Sequence, residues 1–323
     1  MISKCCLITG ANGFLGRALV NQLKTRYSSV KSAVRKLDNN NLSNDKLIEI
    51  GSINRTTNWK NALIGVDVIV HTAARVHVMS DESTNPLEEY REVNTFGTMN
   101  LARQAIESGV KRFIFISTIK VNGESTSVDY PFKASDSRAP EDFYGQSKAE
   151  AEEQLLALAR NTGLEVVIIR PPLIYGPGVK ANFASLLNLV NRGIPLPFAC
   201  ISKNIRSLIS IVNLVDLVNC CIEHPKAINQ IFLASDDNDL SSKGIILNMC
   251  KALNKPNRMF PIPISSYRVV GKLFKKESIC ERLVGSLQVD ISNTKDLLGW
   301  IPPQKVEDGF KEMANAFIKR TIQ

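Results

Sequence analysis

A tyrosine and a lysine lie four residues apart in the segment YGQSK at positions 144–148. The pattern from 146 to 160 predicts a helix, on which residues four apart share one face. A phenol has a pKa of about 10, and a neighbouring ammonium favours the phenolate and lowers that pKa. Tyr144 and Lys148 therefore predict a proton-transfer site, and Lys148 has donors for a cofactor ribose as well. The alternative is a solvated pair on a helix surface.

Two hydroxyl residues, Ser117 and Thr118, follow the apolar run from 112 to 116. That run predicts a buried strand, and ligands of parallel sheets bind at the carboxyl ends of the strands. The hydroxyls therefore complete, with Tyr144 and Lys148, a candidate Thr/Tyr/Lys group for moving a proton.

The segment TGANGFLG at positions 9–16 predicts a nucleotide-binding turn, because an apolar strand precedes it and a helical pattern follows. Gly10 can take a backbone angle closed to other residues, and Gly13 leaves room for a pyrophosphate at the helix N-terminus. Gly16 lets the helix pack closely on the strand. The spacing G-x-x-G-x-x-G differs from the commoner G-x-G-x-x-G, and the alternative is an ordinary tight turn.

Apolar strands alternate with helical patterns along the chain, which predicts an α/β fold with a doubly wound parallel Rossmann-type sheet. We expect residues 1–170 to form an NAD(P)-binding domain, completed by about 205–235. Residues 171–204 and 236–323 are expected to form a smaller α/β substrate-binding lobe. Strands are expected at Val66–His71, Phe113–Ser117, Val166–Arg170 and Gln230–Ser235, and helices are expected to begin near Pro86, Gln146 and Ala181.

Further motifs, together with the two above, carry a family resemblance over nearly the whole chain. The sequence resembles the extended short-chain dehydrogenases/reductases that handle nucleotide sugars, such as UDP-glucose 4-epimerases and UDP-4-keto-6-deoxy-sugar reductases. The further motifs are His71-Thr72-Ala73-Ala74, Asn94 with Gly97-Thr98, Arg170-Pro171-Pro172 before Tyr175-Gly176-Pro177, Asn182-Phe183, Arg206-Ser207-Leu208 and Leu298-Gly299-Trp300.

The resemblance implies a role for each matching residue. Tyr144 is similar to the family's proton-transfer tyrosine, Lys148 to its lysine, and Thr118 to the hydroxyl residue that bonds the reacting sugar oxygen. The implied substrate-binding residues are Thr118, Asn182, Phe183, Arg206 and Ser286, with Arg206 apt for a diphosphate. The implied cofactor-binding residues are Gly10, Asn12, Gly13, Phe14, Leu15, Gly16, Arg35, Ser52, Ile53, Thr72, Ala73, Ala74, Asn94, Ser117, Tyr144, Lys148 and Pro171.

Two departures bear on the cofactor. After the second strand, where NAD-binding units of this type place an acidic residue, the chain has Arg35. Arginine accepts a phosphate that a carboxylate rejects, so we favour NADP(H), while Asp38 leaves NAD(H) possible. Ser52 stands where relatives often carry an aspartate that faces the adenine.

The cofactor preference favours a reductase of a 4-keto sugar, because a reductase consumes NADPH whereas an epimerase returns its hydride. The alternative is a UDP-glucose or UDP-N-acetylglucosamine 4-epimerase. The resemblance implies that the segment 285–290 shapes the sugar pocket. Small Gly285 and Ser286 would leave room there for an N-acetyl group, as in UDP-N-acetylhexosamines and their 4-keto-6-deoxy derivatives. An ordinary turn before a strand is the other interpretation. A non-catalytic NAD(P)-sensing protein is an alternative of another class, disfavoured because it has no use for Thr118, Tyr144 and Lys148.

Composition agrees with an enzyme that stays in the cytoplasm. The 323 residues are 44% hydrophobic, and we find neither an apolar run of membrane-spanning length nor a signal peptide. The net charge is +9, but the basic residues are scattered except at Lys272, Lys275 and Lys276. We therefore expect no nucleic acid partner. The resemblance implies a homodimer through helices around 88–107 and 146–160.

A metal centre is not expected. The seven cysteines and three histidines have no metal-ligand spacing. The cysteines are interpreted as small core residues, and His71, His77 and His224 as structural histidines.

Overall fold

The computed structural model of the protein describes residues 1–37, 46–76, 85–127, 129–274 and 277–322. The strands are β1 (Ile2–Thr9), β2 (Tyr27–Val34), β3 (Lys46–Glu49), β4 (Val68–His71), β5 (Arg112–Ile116), β6 (Glu165–Arg170), β7 (Leu173–Tyr175), β8 (Leu208–Ser210) and β9 (Gln230–Leu233). The helices are α1 (Phe14–Leu23), α2 (Lys60–Leu63), α3 (Pro86–Arg91), α4 (Thr98–Glu107), α5 (Phe143–Asn161), α6 (Ala181–Asn191), α7 (Ile211–Glu223), α8 (Ser242–Ala252), α9 (Ile264–Leu273), α10 (Glu277–Val284), α11 (Ser292–Leu298) and α12 (Val306–Ile322). A π-helical turn covers Glu92–Gly97, and 3₁₀ turns cover Ile119–Val121 and Pro225–Ala227.

Across the described ranges, the main sheet has seven strands in the order β3-β2-β1-β4-β5-β6-β9, and every pair is parallel. The strand order reverses between β1 and β4, which makes their carboxyl ends the crevice where such sheets bind ligands. A small parallel sheet pairs β7 with β8. The predicted α/β Rossmann-type fold is therefore confirmed.

Both faces of the main sheet are buried, because successive residues of each strand enter opposite layers. In β5, Phe113 and Phe115 pack in one core with residues of α2, α4 and α5. Ile114 and Ile116 pack in the other core with residues of α1 and α7. This double burial explains why the strands are almost continuously apolar.

A third core lies under α6, α8 and α12, beside the small sheet. Its centre is aromatic: the Tyr175 ring stacks on Phe183 at 6.1 Å between centroids and on Phe310 at 4.7 Å. The Tyr175 hydroxyl donates to Asp236 at 2.7 Å, so the buried phenol is satisfied. The expected return of residues 230–235 to the main sheet is confirmed by β9, whereas the proposed domain boundaries remain a prediction.

Two of the three predicted helix starts agree with the structure, since α3 begins at Pro86 and α6 at Ala181. The predicted start near Gln146 is wrong, because α5 begins at Phe143. The cause is a cap: the Asp142 carboxylate accepts from the Gly145 amide at 2.6 Å and so satisfies a first-turn donor. This places Tyr144 inside the helix, one turn before Lys148.

Within the residues described above, no helix has both the length and the apolar character that a bilayer span needs.

The third core generates a prediction about stability. Phe310→Ala should lower the free energy of unfolding by about 3–5 kcal/mol, because it leaves a cavity against Tyr175 and Phe183. Urea unfolding followed by circular dichroism measures this loss. Phe274→Ala is the control, because that side chain is 65% exposed, and it should stay within about 0.5 kcal/mol of the parent protein. Equal losses in the two variants would contradict the assignment of this core.

Candidate active site

The glycine turn forms a close-fitting cradle at the end of β1. Gly10 has φ +66°, and a Cβ built there would lie 2.9 Å from the backbone nitrogen of Ala73. A Cβ on Gly16 would overlap the Gly10 carbonyl oxygen, and the Gly13 amide donates to that same oxygen at 2.8 Å. The turn therefore requires glycine, as predicted for Gly10 and Gly16.

This cradle fits a dinucleotide pyrophosphate. The first turn of α1 presents backbone N–H groups at the carboxyl end of the strand, which is the arrangement that binds phosphate. Gly13 is exposed there, and the side-chain oxygen of Asn12 is buried with no hydrogen-bond partner in the described structure. Phe14 is half-buried at the start of α1, whereas Leu15 packs into the sheet core. Leu15 therefore offers a ligand its backbone and not its side chain.

A buried histidine joins β1 to β4 behind the cradle. His71 Nδ1 lies 2.7 Å from the Thr9 hydroxyl, and Nε2 lies 2.9 Å from the Thr98 hydroxyl. Thr98 donates its own proton to the Asn94 carbonyl, so it must accept from His71. Burial lowers the His71 pKa to about 3, with Lys148 acting in the same direction, so the ring is neutral. His71 is structural, as expected.

The loop after β4 lies against the glycine turn. The Thr72 hydroxyl donates to the Thr9 carbonyl at 2.6 Å, and the Ala73 amide donates to the Thr9 hydroxyl at 3.3 Å. Thr72, Ala73 and Ala74 are each partly exposed. Three of the predicted cofactor-binding residues therefore border the cradle.

The Asn94 side chain is buried and makes its hydrogen bonds to other residues of the protein. Its amide donates to the Arg75 carbonyl and to the Ser147 hydroxyl, both at 3.0 Å, and its oxygen accepts from the Arg75 amide at 2.8 Å. Both of its N–H groups are therefore taken. The π-helical turn directs the side chain inward, where it joins the loop after β4 to α5, and cofactor binding by Asn94 stays a prediction.

Thr118, Tyr144 and Lys148 meet at the carboxyl end of β5. Thr118 caps the 3₁₀ turn, its hydroxyl accepting from the Lys120 amide at 3.3 Å. Lys148 Nζ donates to the Ile116 carbonyl at 2.9 Å and lies 4.2 Å from the centroid of the Phe115 ring. Tyr144 precedes Lys148 by one turn of α5. The three residues therefore lie on adjoining elements, the turn after β5 and the first two turns of α5, and their joint role in proton transfer stays a prediction.

The pKa values in this group are governed by burial. Burial lowers the Lys148 pKa to about 7, although the Glu152 carboxylate opposes that shift. Burial also raises the Tyr144 pKa above its usual range, and Asp142 and Tyr90 add to the increase. The expectation that Lys148 lowers the Tyr144 pKa is therefore not met in this structure. The physical reason is that desolvation opposes charge on both side chains.

A buried ion pair joins α5 to the end of β6 next to the site. Glu152 lies on α5 one turn beyond Lys148 and accepts from Arg170 Nε at 2.9 Å; the two side chains are 0% and 1% exposed. Arg138 Nε lies 3.2 Å from the same carboxylate. Sequence reasoning missed Glu152, although its spacing of four from Lys148 places it on the same helix face.

Ser117 bonds to the same Glu152 carboxylate, and its role in cofactor binding stays a prediction. Its hydroxyl donates to Glu152 at 2.5 Å and its amide donates to the Ile169 carbonyl at 2.8 Å, so both donors are used within the protein. Pro171 is buried, and its carbonyl accepts from the Ile119 amide at 3.0 Å. Both residues therefore position the Thr118 turn.

Arg206 and Ser286 lie side by side in the second part of the chain. The Arg206 guanidinium donates to the Gly285 carbonyl at 3.5 Å, and the Ser286 hydroxyl accepts from the Ile205 amide at 3.0 Å. Burial lowers the Arg206 pKa, and repulsion from Arg282 adds to this. Sequence reasoning missed Arg282. Two neighbouring guanidinium groups form a site suited to phosphate oxygens.

Phe183 and Asn182 are the remaining residues that were predicted to bind substrate. Phe183 is 4% exposed and its ring stacks on Tyr175 inside the third core, so the ring is not available to a ligand, and a substrate-binding role for Phe183 stays a prediction. Its burial follows from its position on the inner face of α6. Asn182 lies in the first turn of α6, but its side chain lies outside the described part of the structure.

The segment from 285 to 290 was expected to be a pocket wall or a turn. It is extended, because Ser286 bridges Thr126 and Val289 bridges Phe132.

At the opposite end of the cradle, Arg35 is exposed just after β2, and Ser52 is exposed after β3. Ile53 is half-buried, its Cγ2 close to Gly97 of the π-helical turn.

The Glu49 carboxylate accepts from the Leu37 amide at 3.0 Å. Parallel pairing of β3 with β2 brings this acidic residue to the Arg35 loop, so a carboxylate is present where the sequence suggested only arginine. Asp38 lies outside the described residues.

Among the described residues, no three His, Cys, Asp or Glu side chains are grouped so as to hold a metal ion. His224 accepts from the Lys226 amide in a local turn, and His77, Lys275 and Lys276 lie outside the described ranges.

The glycine cradle at β1 and the tyrosine and lysine on α5 define a short-chain dehydrogenase/reductase with a Rossmann-type sheet. The chain belongs to the NAD dependent epimerase/dehydratase family, whose sequence profile matches residues 6–234. It is therefore an enzyme of that family.

Individual relatives agree along the whole chain. The sequence is 57% identical over 318 residues to a UDP-glucose 4-epimerase of Vibrio cholerae, covering 98% of this chain and 96% of the relative. The fold is similar to that of UDP-glucose 4-epimerase from Thermotoga maritima solved with UDP-glucose, with a TM-score of 0.77, 21% identity and coverage of 99% and 100%. It is also similar to UDP-glucuronic acid 4-epimerase from Bacillus cereus in complex with NAD, with a TM-score of 0.76, 20% identity and coverage of 98% and 99%.

The cradle generates a prediction about cofactor binding. Gly16→Ala should abolish dinucleotide binding, because its methyl group would overlap the Gly10 carbonyl and force α1 away from β1. Isothermal titration with NAD measures this loss. Gly163→Ala is the matched control, because nothing lies within 4 Å of its added Cβ. Unchanged affinity in Gly16→Ala would rule out the cradle as the site.

Lys148 generates a prediction about pH. Its pKa falls from 10.5 to about 7 on folding, so between these values the unfolded chain binds more protons and stability rises with pH. Lys148→Met should therefore be more stable than the parent protein near pH 6, on the order of 1–4 kcal/mol. The advantage should shrink as the pH rises towards about 10.

Urea unfolding at several pH values measures this slope for Lys148→Met. The exposed Lys60 provides the control variant Lys60→Met, which should keep the parent slope. A parent protein whose stability falls with pH across this window would contradict the burial argument.

Proposed function

We propose that this enzyme is a 4-epimerase of a UDP-sugar. The observation that carries the proposal is the 57% identity to a UDP-glucose 4-epimerase over 98% of the chain. The convergence of Thr118, Tyr144 and Lys148 at one strand end supports it, because inversion at C4 needs a group that removes and returns a hydroxyl proton. The same group disfavours a sensor that only binds a dinucleotide.

The residues of the site divide the chemistry among them. Tyr144 accepts the proton of the sugar 4-hydroxyl and later returns it to the 4-keto oxygen, while Thr118 bonds that oxygen and orients it. Lys148 adds positive charge beside the phenol. The bound dinucleotide supplies a reversible two-electron acceptor at C4.

The substrate diphosphate is assigned to Arg206 and Arg282. Burial lowers the Arg206 pKa most, and repulsion from the Arg282 guanidinium adds to that effect. A diphosphate relieves that repulsion through bidentate hydrogen bonds. Ser286 is small and half-buried beside them, which leaves room for an N-acetylhexosamine as well as for glucose.

NAD(H) is proposed as the resident cofactor. An epimerase returns its hydride to the sugar, and the Glu49 carboxylate beside the Arg35 loop supports NAD over NADP because it opposes a ribose phosphate. The comparisons give no support to the NADP(H) preference expected from Arg35. One observation still favours a second candidate, a 4-keto reductase using NADPH: Arg35 is exposed, and no partner within the described residues neutralises it.

The assembly is proposed to be a homodimer that uses α4 and α5, and the protein is proposed to act in the cytoplasm. Light scattering at several concentrations tests the dimer.

The decisive experiment incubates the enzyme with UDP-glucose and UDP-N-acetylglucosamine and separates the products by chromatography. Gluco and galacto forms should interconvert with no added cofactor. Tyr144→Phe should lower kcat by at least about a hundredfold while dinucleotide affinity stays within about threefold.

Tyr130→Phe is the control, because that residue is 77% exposed, and it should keep full activity. In parallel, the reduced-nicotinamide absorbance is followed on addition of UDP-4-keto-6-deoxy-N-acetylglucosamine with NADPH or NADH. Stoichiometric NADPH loss without interconversion of the gluco and galacto sugars would overturn the epimerase in favour of the reductase.

A further inference from the structure

A line of alternating charges runs from the start of α5 towards Arg206. Asp142 Oδ2 lies 2.5 Å from Lys120 Nζ, and the same ammonium lies 2.6 Å from Glu124 Oε1. The other Glu124 oxygen lies 3.8 Å from Arg282 Nε. Side-chain exposures of 27% for Lys120, 18% for Glu124 and 30% for Asp142 show that water screens these contacts only in part. The charges are therefore close enough to influence the groups at both ends.

Asp142 benefits the helix but opposes the chemistry. Its carboxylate caps α5 through the Gly145 amide, a bond that favours its ionised form. The same negative charge lies two residues before Tyr144 and opposes loss of the phenolic proton. Desolvation is the larger cause of the raised Tyr144 pKa, and a cation beside Asp142 offsets the part that the carboxylate adds.

Lys120 is that cation, and its backbone is also part of the site. It lies in the 3₁₀ turn that Thr118 caps, and its amide donates to the Thr118 hydroxyl. Its carbonyl oxygen would lie 2.8 Å from a Cβ on Gly145, so the turn and the first turn of α5 are in close contact. One residue thus connects the Thr118 turn to the Tyr144 helix by both its backbone and its ammonium.

We propose that Lys120 is a positioning residue for proton transfer at Tyr144: its ammonium bridges Asp142 and Glu124, neutralises the cap of α5 and holds the Thr118 turn against that helix. The proposal rests on the proposed function, because it concerns the proton that Tyr144 moves. Lys120 itself needs no contact with the sugar.

The other groups that face Tyr144 do not replace Lys120. From α3, the Tyr90 ring meets the Tyr144 ring edge-on at 6.4 Å and carries no positive charge. From α5, Lys148 turns its ammonium to the Ile116 carbonyl and loses charge as the pH rises through about 7. Lys120 is the cation whose ammonium contacts Asp142 directly, together with Glu124.

The test compares kcat against pH in four proteins: the parent, Lys120→Met, Lys120→Arg and the double variant Lys120→Met/Asp142→Asn. Lys120→Met should raise the apparent pKa of kcat by about one unit, so that kcat near neutral pH falls about tenfold while KM stays within about threefold. Lys120→Arg should restore the parent profile. The double variant should also recover it, because asparagine still caps the helix but carries no charge.

Two results would overturn the proposal. One is a parent-like profile in Lys120→Met. The other is a loss of kcat that neither arginine nor Asp142→Asn relieves, since a purely structural lysine would behave in that way. Lys60→Met, at an exposed lysine far from these contacts in sequence, is the charge-matched control and should leave the profile unchanged.

A second measurement needs no sugar and separates this proposal from the proposed function. Urea midpoints of Lys120→Met, Asp142→Asn and the double variant should be non-additive, because each single change leaves the other charge without its partner. Additive midpoints would overturn the bridge. Non-additive midpoints in a protein that turns over no UDP-sugar would support the bridge and contradict only the proposed function.

Discussion

The site depends on the ion pair between Glu152 and Arg170, which is buried between α5 and the end of β6. Removing one partner of such a pair leaves an uncompensated charge in the interior, at a cost of about 3–5 kcal/mol. The pair connects the helix of Tyr144 and Lys148 to the strand end, and Ser117 adds the end of β5 through its hydroxyl. Three elements that meet at the candidate active site are thus held by one carboxylate.

The burial of these side chains also explains the pKa shifts of Lys148 and Tyr144. Lys148 lies one helical turn from Glu152 and is fully enclosed, so desolvation lowers its pKa while the carboxylate limits the fall. Tyr144 is half-buried, and desolvation raises its pKa. Burial therefore opposes charge on both groups. Lys120, at the edge of the site, adds a positive charge that water screens only in part.

Much of the site could be predicted because its signals are local. Gly10 and Gly16 are required by one tight turn, and Tyr144 and Lys148 share a helix face because they are four residues apart. Other placements depend on which of two environments a side chain enters. The Phe183 ring fills the third core, and the sequence alone does not specify which face of α6 packs against the interior.

Residue spacing is enough to predict the alternation of strands and helices, the glycine turn and the proton-transfer pair, because each depends on residues fewer than about twenty positions apart. Which distant charges meet depends instead on how the chain folds in three dimensions. Glu49 reaches the Arg35 loop through the pairing of β3 with β2. Arg282 reaches Arg206 across a long stretch of chain, and Glu152 finds Arg170 across the interior. Coulomb energies depend on distance in space and on burial, and the spacing of residues along a chain specifies neither.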